Sequence, residues 1–204
     1  KTWWQVPSIV KVELKGKLNT GVTGKDIILA LCGFFNHDEV LNHGVEFVGE
    51  GIKFLSLDQR LTISNMTTEW GALTGLFPID ETTLNWLKHR AKFIATRGLE
   101  GVYSDIDGNG KHPRINDDKI SLLENELQYF QADTDAHYAK EITIDLSSVE
   151  PYVAGPNSIK TAVPISKIIN KKIKINKAYL VSCVNSRVED IAEAAAIVCN
   201  KKFA

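Results

Sequence analysis

The chain has 204 residues, 44% of them apolar and 8% aromatic, with 24 basic and 25 acidic side chains leaving a formal charge of -1. This composition belongs to the ordinary globular class and can bury a real core in one or two compact units. The balanced charge offers no positive field for nucleic acid or an anionic membrane, and no apolar run approaches the roughly 20 residues of a membrane-spanning helix.

The opening "KTWWQVP" has neither the apolar centre of a signal peptide nor the Arg- and Ser-rich character of a transit peptide, and it reads as a cut start. Ile9 to Leu14, "IVKVEL", sets Val10, Val12 and Leu14 against Lys11 and Glu13, which predicts a half-buried strand. In "NTGVTGKDIILALCGFF" Thr23 is a helix cap with Asp26 in the first turn, and the apolar Ile27 to Leu31 predicts a helix buried on most sides. "VEFVG" from Val45 predicts a second strand. A helix is expected over Leu61 to Phe77, with Gly71 and Gly75 four apart on one face to admit a close neighbour.

Pro78 marks a boundary, and Asp80 opens a helix on which Leu84, Leu87, Ala91 and Ile94 recur at helical spacing. Thr96 to Asp118 is rich in Gly, Asp and Asn without apolar period, which predicts a surface loop. Ile120, Leu123, Leu127 and Phe130 share one face of a further helix. "EITIDL" predicts a strand, a stretch with Pro151, Pro156 and Pro164 is irregular, and "KAYLVS" predicts a last strand before a last helix. Alternating strands and helices imply an α/β fold around a mostly parallel sheet. The loop predicts two lobes, residues 1–95 and 118–204, joined through 96–117.

Several stretches invite a chemical reading. "GVTGKD" fails as a phosphate loop, because Gly21 and Gly24 enclose two residues rather than four and Asp26 follows Lys25 where a hydroxyl is needed. "DIDGNGKHPRIN" matches the first half of a calcium loop through Asp105, Asp107, Asn109 and Gly110, then breaks at Pro113 and Asn116. The five histidines have no partner at metal-ligand spacing. Asn65 and Glu69 stand at i and i+4 on one helix face. They form either a surface patch or a pair that needs a partner, since an unpaired buried carboxylate is costly.

Cys32, Cys183 and Cys199 are an odd and sparse set, which suits a reducing compartment better than a disulfide framework. Cys32 and Cys199 fall on apolar helix faces and read as core. Cys183 ends the "KAYLVS" strand just before Ser186 and Glu189, a capping box for the last helix. A helix N-terminus favours a thiolate, and ligands gather at the carboxyl ends of parallel strands. Position alone leaves Cys183 open as a structural thiol, a nucleophile without a nominated base, or a metal ligand short of partners.

"SCVNSR" and "NMTTEWGALTGLFPID", in this order, resemble the first cluster-cysteine segment and the Asn-Met-x-x-Glu helix of the aconitase superfamily. The similarity extends through "DAHYAKEITIDLSSVEPYVAGPNS" and covers nearly the whole chain apart from residues 96–111. "FNHDEVLNH" is similar to the fungal members that act on homoaconitate, where aconitase and isopropylmalate isomerase usually carry a glycine- and threonine-rich turn. The resemblance implies a three-layer α/β/α iron-sulfur domain, incomplete in this chain. Residues 1–95 would lie in the second family domain and residues 118–204 would begin the third.

It also implies a mitochondrial hydro-lyase that converts homoaconitate to homoisocitrate in lysine biosynthesis by the α-aminoadipate route. Aconitate hydratase and 3-isopropylmalate dehydratase are the neighbouring alternatives, and a stand-alone calcium-binding module is the competing class. The family carries a [4Fe-4S] cluster on three cysteines and acts on a small tricarboxylic acid. By motif match Cys183 would be one cluster ligand, Asn65 and Asn185 would lie beside the cluster, and Glu69 would be catalytic, paired with a histidine from elsewhere in the enzyme. Val184 stands where the family usually has threonine, which removes a hydroxyl beside the cysteine. The other two cysteines belong to a Cys-x-x-Cys motif outside these residues, so the chain is expected to be an internal piece of a larger enzyme and inactive alone.

Overall fold

The computed structural model describes residues 3–97, 112–181 and 185–202. The chain divides into two compact units, residues 1–76 with 139–204 and residues 77–138. Cys183 and the Asp105 loop lie outside the described residues.

The first unit is built on a four-stranded, wholly parallel sheet, consistent with an aconitase-type α/β domain. Its strands are β1 (Ile9–Lys15), β2 (Gly44–Val48), β3 (Thr74–Leu76) and β4 (Lys140–Asp145), in the order β3-β2-β1-β4. Val10 pairs with Val45 on one side and with Lys140 on the other, so the central strand joins residues far apart in the chain. The alternation in "IVKVEL" does what its period requires: Val10, Val12 and Leu14 are fully buried, while Lys11 on the other face bridges to Glu141 of β4 at 2.8 Å.

Helix α1 (Gly24–Phe34) begins where Asp26 reaches back to Thr23, and its residues Ile27 to Cys32 are all buried. It packs against α2 (Leu57–Trp70) and against a small antiparallel ladder of β5 (Tyr152–Val153) with β6 (Val163–Pro164). Arg60 is 1% exposed and holds the 3-10 turn at Glu50–Phe54, with Nε on the Leu55 carbonyl at 3.2 Å and a terminal nitrogen on that of Ile52 at 3.0 Å.

Three expectations are corrected here. The helix expected over Leu61 to Phe77 spans Leu57–Trp70, because Ser56 and Gln59 form a capping box and Gly71, at φ 112°, ends it. Gly75 instead lies in β3, where an added Cβ would meet Thr67 and Ser64 at 2.8 and 3.1 Å; the close approach is between strand and helix. The last predicted strand does not form: Tyr179, Leu180 and Val181 are 73%, 67% and 76% exposed and pair with no described strand. A strand takes its hydrogen bonds from a neighbour, and apolar alternation cannot supply one.

In the second unit α3 (Glu81–Arg97) and α4 (Asp117–Asn125) pack together. Leu84, Ala91 and Ile94 of α3 and Ile120 of α4 are buried as their spacing predicts. Asn116 caps α4 through the Lys119 amide at 2.9 Å, and the expected longer helix gives way to a 3-10 turn at Leu127–Phe130. Among the described residues no helix is long and apolar enough to cross a membrane.

Candidate functional site

Helix α2 is fixed from one side and open on another. Ser64 donates its hydroxyl to the Gly75 carbonyl at 2.5 Å, and Thr67, fully buried, donates to the Ser64 carbonyl at 2.7 Å. Trp70, 1% exposed, anchors the far end by donating Nε1–H to the Phe35 carbonyl at 2.7 Å. These contacts settle the rotation of the helix. Asp58, Thr62, Asn65 and Glu69 then follow at spacings that place them along one stripe.

The segment that follows Cys183 meets the first half of this stripe. Asn185 donates Nδ2–H to Thr62 Oγ1 at 3.1 Å, and the Arg187 guanidinium pairs with the Asp58 carboxylate. Asn65 and Glu69, both exposed, continue the stripe one and two turns further on. The structure therefore brings Asn185 to the helix that carries Asn65 and Glu69. Asp58, Thr62 and Arg187 were not singled out from sequence: Asp58 and Arg187 are 129 residues apart, and neither stands in a local pattern that nominates the other.

Arg187 also begins α5 (Val188–Val198). Its backbone N–H donates to Asp190 Oδ2 at 3.1 Å, so the helix starts one residue later than the expected Ser186–Glu189 box, and the aspartate serves as the returning side chain. Cys199, expected in the core, is exposed at the end of this helix. The apolar face of α5 is uncovered among the described residues, with Val188 86% and Ile191 50% exposed, and helical spacing reports a face without saying what covers it.

Cys32 is core as expected. Burial, helped by the charge of Glu69 and opposed by that of Lys160, pushes its thiol up to about 12, which keeps it protonated at neutral pH. Cys199 lies at the far end of the 11-residue helix that Arg187 caps, about 18 Å from it at 1.5 Å per residue. No three His, Cys, Asp or Glu among the described residues are grouped to hold a metal. The described residues thus do not assemble a donor set for an iron-sulfur cluster, and any such set draws on thiolates outside them.

A concavity of about 600 Å³ opens beside Thr23, Lys25, Met66 and Tyr152. Neither Asn65, Glu69 nor Asn185 lines it, so it is not the place where the stripe and the Asn185 turn meet.

The whole chain, residues 1–204, matches the model of the aconitase family (aconitate hydratase). It is 52% identical over 199 residues to a protein of Candida glabrata named mitochondrial homoaconitase, covering 98% of this chain and 27% of that protein. Similar proteins of the same name come from Yarrowia lipolytica, 52% identical over 204 residues, and Mycosarcoma maydis, 48% identical over 204; each match covers all of this chain and 27% of the relative. The chain spans about a quarter of the length of these curated relatives. Matched from end to end by the family's model and about half identical to such relatives, the chain belongs to the aconitase family.

Proposed function

We propose that the chain serves as a segment of a mitochondrial hydro-lyase that converts homoaconitate to homoisocitrate in lysine biosynthesis by the α-aminoadipate route. The observation that carries this reading is the meeting of the turn after Cys183 with α2, through Asn185 and Thr62 at 3.1 Å, on the stripe that continues to Asn65 and Glu69. The relatives' name supports the choice of homoaconitate over aconitate or isopropylmalate.

In this reading Cys183 is one thiolate of a [4Fe-4S] cluster, and the other two thiolates come from outside this chain. When bound, the cluster supplies a Lewis-acidic iron for the substrate's hydroxyl and carboxylate. The contributions of this chain are positional and acid-base. Asn65 offers an exposed side-chain amide on the stripe, and Asn185, two residues after Cys183 and held on Thr62, steadies the turn; groups of this kind orient ligands. Glu69, exposed two turns along α2 from Thr62, can hold or return a proton at its carboxylate once a histidine from the rest of the enzyme stands beside it.

Anaerobic reconstitution with iron and sulfide tests the reading. The full-length polypeptide is expected to gain four-iron absorbance and to hydrate homoaconitate faster than cis-aconitate or isopropylmaleate, and the 204-residue chain is expected to do neither. A full-length protein that prefers either other substrate, or a stoichiometric four-iron cluster on the isolated chain, overturns it.

A further inference from the structure

Asp58, Thr62 and Arg187 have no role in the reading above, yet they form a closed link between α2 and the start of α5. Thr62, 3% exposed, uses its hydroxyl both ways: it donates to the Asp58 carbonyl at 3.0 Å and accepts from Asn185 Nδ2 at 3.1 Å. The Asp58–Arg187 ion pair is partly shielded, its side chains 22% and 36% exposed, and Asp58 stands in the first turn of α2, where the helix dipole favours a carboxylate. Asp190 completes the ring, taking the Arg187 N–H at 3.1 Å and lying 3.5 Å from Asn185 Nδ2. Two links from a rigid helix to one turn fix its rotation as well as its distance.

We propose that Asp58, Thr62 and Arg187 are positioning residues that clamp the turn at residues 185–187, which follows Cys183 in the chain, onto the α2 stripe that continues to Asn65 and Glu69. The clamp rests on the contacts themselves; its consequence for catalysis rests on the proposed function. With the ion pair broken, the turn can leave the helix while the rest of the fold stays closed.

Iron-stripped full-length protein is alkylated with iodoacetamide, and Cys183 and Cys32 are followed separately by peptide mass spectrometry. Cys32, fully buried in α1, reports global opening. Asp58→Asn and Arg187→Gln are each expected to speed alkylation of Cys183 about five-fold, the change that loss of about 1 kcal/mol gives. The double variant should be no faster than either single one, because both break the same pair, and Arg187→Lys should stay near wild type. Cys32 should not respond. Unchanged Cys183 rates, additive single effects, or Cys32 reacting in step with Cys183 overturns the clamp. If wild-type full-length protein takes up no four-iron cluster, the proposed function falls, and the alkylation rates still decide the clamp.

Discussion

The backbone N–H of Tyr152 donates to Asp26 Oδ1 at 2.9 Å, joining α1 to the β5 segment across 126 residues of sequence. The other oxygen of the same carboxylate accepts from the Thr23 N–H at 2.8 Å and the Thr23 hydroxyl at 3.0 Å. One side chain, 9% exposed, therefore caps its own helix and docks a distant strand. Asp26→Ala removes the cap and strands the Tyr152 amide. A loss of about 3 kcal/mol is expected in denaturant unfolding, with faster hydrogen exchange at Tyr152. A loss below about 1 kcal/mol would show that water replaces the carboxylate at little cost.

Two glycines with positive φ separate backbone strain from steric exclusion. Gly49, at φ 102°, holds a position where a Cβ would lie 2.4 Å from the Leu14 carbonyl oxygen, whereas Gly21, at φ 84°, has nothing within 4 Å of that point. Gly21→Ala should cost about 1 kcal/mol from conformational strain alone. Gly49→Ala adds a clash with the central strand and should cost about 3 kcal/mol or more, or leave the protein unfolded. Thermal unfolding of the two variants side by side is the test, and equal losses would contradict the geometry.

Local patterns in the sequence reported those elements whose stabilising partners are close in the chain or need not be named. The alternation of β1, the Thr23–Asp26 helix start and the Leu84–Ala91–Ile94 face of α3 all appear as written, since period and capping are local physics. The Tyr179 segment and Cys199 went the other way, because an alternating or helical apolar face needs a neighbour that sequence period does not identify. The candidate site was half legible. Asn65 and Glu69 stood out as i, i+4 neighbours, and the resemblance named Asn185 and Cys183; the Asp58–Arg187 pair, 129 residues apart, had no local trace.

Burial raises the Cys32 thiol from an ordinary value of about 9 to about 12, and this makes stability depend on alkaline pH. The sign follows from linkage: the unfolded chain releases its proton above pH 9 while the folded chain keeps it, so the contribution is whole below that pH and is lost as pH rises toward 12. Lysines and tyrosines titrate in the same range, so the comparison is with Cys32→Ala. Wild type should lose stability relative to that variant by up to about 1.4 kcal/mol per pH unit above the unfolded thiol's pKa. A gap that stays constant from pH 8 to pH 11 would mean that the folded thiol ionises as readily as an unfolded one.

Glu69 links this buried thiol to the proposed chemistry, because its charge is the second cause of the upward shift at Cys32. Glu69→Gln removes that charge with little change of shape, so two readouts should move independently. In the full-length enzyme kcat for homoaconitate hydration should fall at least about 100-fold if the carboxylate acts in proton transfer, with KM nearly unchanged because shape and hydrogen-bonding reach are kept. In the same variant the alkaline loss of stability from Cys32 should begin at the same pH, set by the unfolded thiol, but level off at a lower pH and reach a smaller total, since one force holding the proton on the folded thiol is gone. A normal kcat with a shifted alkaline limb would confine Glu69 to the electrostatics of α1 and α2. A lowered kcat with an unmoved limb would instead show that its charge does not reach Cys32.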